Sequence, residues 1–192
     1  MKRQDNDMVL ILSVLKRPEI ELNANSLAKI IGISSMGALK IAKKLEEQGI
    51  LTSRQVGKAK ILKINFDNNY ALQYVKLMLG KEVQKSDPLV KRWISEIHKI
   101  GLPAILYGSV LSKKEPNDID VMFIIEKKDF SKIKVLIEEV NLLNPKKIHP
   151  LYQTKEDLIA NIKKKDKVIL NAIKGIVINA DDLFISILKE VQ

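Results

Sequence analysis

Residues 104–125 read AILYGSVLSKKEPNDIDVMFII, and this stretch decides how the C-terminal half of the chain folds. Ala104 to Tyr107 is an apolar run with the character of a buried strand. It breaks at Gly108-Ser109, crosses a short polar segment and re-enters a second apolar run from Ile119 to Ile125. Asp118 and Asp120 stand at the head of that second run. Side chains alternate faces along a strand, so both carboxylates emerge on one face while Ile119 and Val121 take the other. Two carboxylates side by side are costly unless a positive charge lies between them. A hard divalent cation such as Mg²⁺, or Mn²⁺ in its place, is the natural candidate.

Downstream, the apolar spacing predicts a helix from Phe130 to Val140 with Ile133, Leu136, Ile137 and Val140 inward. Asn144-Pro145 ends it, and Lys147 to Tyr152 reads as a third strand interrupted at Pro150. Thr154 followed by Asp157 caps a helix from Lys155 to Ile162. Lys163-Lys164-Lys165 is its solvated end. Val168 to Ile173 is a further helix, Gly175 to Asn179 a short strand and Asp181 to Leu188 a final helix. Strands and helices mixed in this way give an α/β fold, a small sheet with helices packed on it.

Upstream lies a connector. Asp67-Asn68-Asn69 marks a turn, and Tyr70 to Leu79 has a helical pattern ending near Gly80, a linker or a dimerisation helix. Ser86-Asp87-Pro88 reads as a cap with proline at the first helical position. The helix that follows, Leu89 to Lys99, presents Leu89, Trp93, Ile97 and Ile100, with Trp93 in the core and His98 on the surface. Gly101-Leu102-Pro103 leads into the strand at 104.

Residues 1–66 form a separate basic module with 12 Lys and Arg against 6 Asp and Glu. Met8, Val9, Ile11, Leu12 and Leu15 recur at helical spacing before Pro18. A second helix fits Asn25 to Ile31, capped by Asn25 or Ser26, with Leu27, Ile30 and Ile31 inward. Gly32 turns the chain. A third runs from Ser34 or Ser35 to Gln48, with Leu39, Ala42 and Leu45 on one side and Lys40, Lys43 and Lys44 towards solvent. Gly49 closes it. Ile50 to Arg54 and Ala59 to Ile64 are strands of a hairpin whose turn contains Gly57.

The composition sets limits on all of this. The 192 residues suit one domain or two small ones, and 46% apolar content supplies a core. A formal net charge of +10 makes a polyanionic partner plausible. The absence of cysteine excludes disulfides and thiolate metal sites, and His98 and His149 alone exclude a histidine-rich one. No apolar stretch approaches the ~18 residues of a membrane span, and the start MKRQDND lacks a signal-peptide core, so no membrane partner and a cytoplasmic location are expected.

Helix, helix, turn, helix, hairpin is the element order of the winged helix-turn-helix family, which SLAKIIGISSMGALKIAKKLEEQGILTSRQVGKAKILKIN resembles. The resemblance implies that Ser34 to Gln48 is the recognition helix, Val56 to Ala59 the wing tip, and double-stranded DNA the partner. Ser34, Ser35, Lys40, Lys43, Lys44, Arg54, Lys58 and Lys60 are the candidate phosphate or base contacts. The third helix carries no arginine or glutamine before Gln48, which favours phosphate contact over base readout.

Gly108-Ser109, a spacer and Asp118-Ile119-Asp120-Val121 on a strand resemble the signature of the DNA polymerase beta-like nucleotidyltransferase superfamily, in its minimal branch. The likeness extends over residues 88–192 and includes IHPLYQTKEDL and GIVINADDLF. With the first module, the chain is similar to predicted archaeal nucleotidyltransferases fused to a winged helix. This divides it into a DNA-binding domain at 1–66, a connector at 67–87 and a nucleotidyltransferase-like domain at 88–192. The resemblance implies that Asp118 and Asp120 hold Mg²⁺ and carry catalysis. Gly108 and Ser109, at the start of a helix, would receive phosphates of a nucleoside triphosphate, with Lys113 and Lys114 beside them. The implied reaction moves a nucleotidyl group from an NTP to an acceptor hydroxyl, releasing pyrophosphate.

Two features depart from the family. The spacer from Ser109 to Asp118 is short, at eight residues, and lacks the customary basic residue and glycine. No Asp or Glu lies between Glu139 and Glu156, where a third carboxylate belongs; the strand there offers Ile148-His149-Pro150-Leu151. An alternative is therefore open: a transcriptional regulator whose second domain is inactive and serves in nucleotide sensing or dimerisation. A third reading, from the similarity to antitoxin members of the minimal branch, gives the chain a toxin as partner.

Overall fold

The computed structural model describes residues 5–112 and 115–192. Lys113 and Lys114, expected beside the nucleotide phosphates, lie outside the described residues, as do the first four residues of MKRQDND. The chain forms two compact units, one reaching to Glu82 and taking in Gln192, the other spanning Val83–Val191.

The first unit begins with α1 (Asn6–Leu15), whose N-terminus is capped by Asp5 through the Met8 N–H. α2 (Ala24–Ile31) starts earlier than expected because Asn23 is its cap, not Asn25 or Ser26. The Asn23 Oδ1 accepts the Ser26 N–H at 3.0 Å while the Ser26 Oγ accepts the Asn23 N–H at 2.9 Å. This reciprocal pair satisfies two donors that the first turn would leave open. Gly32, at φ +73°, supplies the left-handed turn into α3 (Ser35–Glu47), capped by Ser34.

The buried strip of α3 is Ala38, Ala42 and Leu45, small residues that let the helix lie close to its neighbours. Leu39 and Ile30, expected inward, are exposed instead. With Ala38 centring the strip, Leu39 is turned about 100° away from it. β1 (Leu51–Val56) and β2 (Ala59–Ile64) pair antiparallel, joined by Gly57-Lys58, and Leu22 adds an isolated bridge to Leu62. Three helices followed by this hairpin give the first unit the element order expected of a winged helix-turn-helix. α4 (Asn69–Lys85) runs through Gly80 where an end was expected. A glycine costs a helix only about 1 kcal/mol, less than burial of Val75, Met78 and Leu79 returns.

The second unit takes in the end of α4 from Val83 and continues with α5 (Pro88–Ile100), its proline in the first turn as expected, although the Asp87 side chain makes no capping bond. Its inward face is Val90, Trp93, Ile94 and Ile97, whereas Leu89 and Ile100 are only partly buried. β3 (Ala104–Tyr107), β4 (Ile119–Ile124), β5 (Ile148–Gln153) and β6 (Ile176–Ile178) form a mixed sheet in the order β5-β4-β3-β6. β4 and β5 are parallel, linked by α6 (Phe130–Leu143), and the other pairs are antiparallel. β5 passes through Pro150 without interruption, which an edge strand permits because one row of its N–H groups has no ladder partner.

Alternation then distributes the core. Ala104, Leu106, Ile119, Val121, Phe123 and Ile148 pack with α5 and with Ile133 and Ile137 of α6. Ile105, Met122, Ile124 and Val177 are buried from the opposite side of the sheet. There lie α7 (Lys155–Lys163), α8 (Lys167–Ala172) and α9 (Asp181–Val191), packed on β5, β3 and β6 in turn.

Candidate functional sites

Asp118 and Asp120 emerge at the start of β4, on the face opposite buried Ile119 and Val121. The parallel register sets His149 of β5 directly beside Asp120, and the antiparallel register sets Tyr107 of β3 on its other side. The Asp118, Asp120 and His149 side chains each offer a ligand atom, all within 4.8 Å of one another. The His149 Nδ1 is 3.5 Å from the Asp118 Oδ2. His149 is open, its side chain 67% exposed. It occupies the strand position where a third carboxylate was expected. Asp129 and Glu126, the nearby acids after β4, are not members of the cluster.

Gly108 shapes the floor of this site. It adopts φ +78°, and a Cβ there would sit 2.0 Å from the Asp120 Oδ2. Only glycine leaves room for the carboxylate. The Ser109 N–H donates to Asp120, but burial and the neighbouring charge of Asp118 outweigh it and hold the Asp120 carboxyl above the ordinary aspartate value. The Tyr107 phenol is likewise raised, by burial and then by Asp120. Gly108-Ser109 does open a helix, a short one: the four-residue 3-10 turn Gly108–Leu111.

The residues fit a divalent ion at Asp118 and Asp120: two oxygen donors share one open face over a glycine floor. The third donor does not fit Mg²⁺, which favours oxygen ligands over imidazole. A cleft of about 790 Å³ lies at the other end of the sheet, among Ile124, Glu126, Lys127, Thr154 and Asp157. It contains none of the cluster residues.

In the first unit, α3 presents Ser35, Met36, Leu39, Lys40 and Lys43 on its exposed side. Ser34 uses its Oγ to accept the Gly37 N–H at 3.1 Å, so its role there is the cap. The cationic residues divide into two groups. Lys44 is paired with Asp7 at 2.6 Å, Lys60 with Glu46 at 2.9 Å and Arg54 with Glu21. Lys43 lies a loose 3.8 Å from Glu47. Lys40 and Lys58 are exposed on α3 and in the wing turn. Exposed pairs of this kind are weakened by solvent screening, so phosphate can compete for their cations. A groove of about 550 Å³ runs between α3 and the wing, lined by Asn25, Met36, Leu39, Lys58 and Lys60.

No protein-family model and no curated protein matches the sequence. Among solved structures the chain aligns with MepR, a transcription regulator of the Staphylococcus aureus multidrug efflux pump MepA, at 8% identity and a TM-score of 0.37. The alignment covers 74% of this chain and 82% of that one. A superposition this loose carries no weight for either unit, and the description of each rests on its own geometry. No helix among the described residues is long and apolar enough to cross a membrane.

Proposed function

We propose that the protein is a regulator that binds double-stranded DNA through α3 and the wing, and that its second unit is a nucleotidyltransferase-like domain used to sense a nucleotide. The observation that carries this reading is the narrowness of the buried strip on α3. Ala38, Ala42 and Leu45 suffice to anchor it, which leaves Ser35, Met36, Leu39, Lys40 and Lys43 as a continuous face for a groove. Cations supply phosphate affinity, while Met36 and Leu39 offer apolar contact to base edges. The exposed Tyr70 and Leu77 of α4 support self-association of the regulator. Equilibrium binding of the full chain to duplex DNA tests the first half, and a chain that bound none would overturn it.

A second reading, nucleotidyl transfer from an NTP, is favoured by the shared face of Asp118 and Asp120 over Gly108. Imidazole in place of a third carboxylate weighs against it, because the acceptor hydroxyl then lacks its usual anionic neighbour. Incubation with labelled NTPs, Mg²⁺ or Mn²⁺ and a panel of acceptors separates the two, beside the Asp118→Ala/Asp120→Ala variant. Bound nucleotide without transfer supports the sensor. Transfer lost in the variant supports the enzyme.

A further inference from the structure

We infer that Asp118, Asp120 and His149 form a mixed carboxylate–imidazole site selective for a first-row transition ion, Mn²⁺ or Zn²⁺, over Mg²⁺. This deepens the reading of Asp118 and Asp120 as a metal site and rests on it.

The separation of the donors suits one small ion. Ligands held at ~2.1 Å by one tetrahedral ion stand about 3.4 Å apart, so a set within 4.8 Å closes on it with side-chain movement of at most about 1.4 Å. The open His149 side chain is free to make that movement. Two carboxylate oxygens would accept many divalent ions; the imidazole discriminates. Imidazole suits Zn²⁺ and its later first-row neighbours, and Mn²⁺, though at home with oxygen donors, accepts one nitrogen more readily than Mg²⁺, which retains oxygen ligands and water.

The backbone beneath His149 is held in place independently of any ion. The preceding Ile148 is buried, and its N–H donates to the Asn141 Oδ1 at 2.7 Å while its carbonyl accepts from the Asn141 Nδ2 at 3.2 Å. The Ile119 N–H donates to the Lys147 carbonyl at 2.9 Å, tying the start of β5 to the start of β4. Pro150 follows, and a residue before proline is confined to extended backbone. His149 is thus fixed in register with Asp120, its imidazole on the same side as both carboxylates. Opposite it, Gly108 leaves the space that Asp120 occupies. Both ends of the donor set are therefore placed by the fold.

The test uses the full chain, stripped with chelator and without nucleotide. Mn²⁺, Zn²⁺ and Mg²⁺ are titrated calorimetrically, and bound Mn²⁺ is examined by pulsed EPR for coupling to an imidazole nitrogen. One transition ion per chain with a nitrogen coupling is expected, together with much weaker Mg²⁺ binding. His149→Ala should lose the coupling and weaken Mn²⁺ by at least about tenfold, the loss that even outer-shell partners produce. His149→Asp should move the preference towards Mg²⁺. If wild type and His149→Ala bind Mn²⁺ equally, without nitrogen coupling, the inference is overturned. Should that binding still disappear in Asp118→Asn/Asp120→Asn, the carboxylate metal site stands without it. Failure of all three ions to bind would overturn both.

Discussion

The carboxylate of Asp120 occupies the space in which a side chain on residue 108 would sit. Strand β4 supplies the acid and the turn after β3 supplies the vacancy, so the pair is a lock between two adjacent strands. Gly108→Ala is expected to strain the left-handed backbone at a cost of about 1–3 kcal/mol and to displace Asp120. Trp93 is the single tryptophan, and it is buried in the second unit. Denaturant unfolding followed by its fluorescence should show the loss, with metal binding lost in parallel.

Asp120 also sets a pH dependence. Burial first, and Asp118 second, raise its folded-state pKa above the ordinary value of 3.8. The folded chain therefore holds this proton more tightly than the unfolded one. The associated stabilisation is complete below 3.8, and it is lost as pH rises through the raised value. Asp120→Asn, neutral throughout, should melt above the wild type at neutral pH, with the gain shrinking on acidification. A gain that grew with falling pH would contradict the assignment.

The reciprocal cap at α2 gives a local stability prediction. Asn23→Ala removes the acceptor for the Ser26 N–H and should cost about 0.5–2 kcal/mol in thermal or chemical melts. Asn25→Ala, which the structure places inside the helix, should be close to neutral.

The divided cations of the winged helix predict a hierarchy. Lys40→Gln and Lys58→Gln should each lower DNA affinity and make its salt dependence shallower. Lys44→Gln and Lys60→Gln should have smaller effects on DNA, because Asp7 and Glu46 already hold those ammonium groups. Competition binding on one duplex at fixed salt gives the order.

Local pattern carried much of this into view from the sequence. Alternation alone put Asp118 and Asp120 on one face, and the cap at Thr154 followed from residue type. What it did not carry depends on partners distant in the chain. Leu39 and Ile30 were misplaced because which residues face inward is settled by the packing of α1, α2 and α3 together. Lys44 read as a free cation because Asp7 lies 37 residues away. His149 was visible as the residue in the third carboxylate's place, but its alignment with Asp120 needs the parallel register of β4 and β5. Gly80 and Pro150, both breakers by type, were overruled by a well-buried helix and an edge position.

The central claim is that α3 and the wing meet DNA, and affinity measured across salt concentration tests it most directly. Fluorescence anisotropy on a labelled duplex should give log affinity falling linearly with log salt. The slope of Lys40→Gln/Lys43→Gln/Lys58→Gln should be shallower by about one for each lysine that contacts phosphate. Affinity indifferent to salt, or a triple variant indistinguishable from the wild type, would contradict the account.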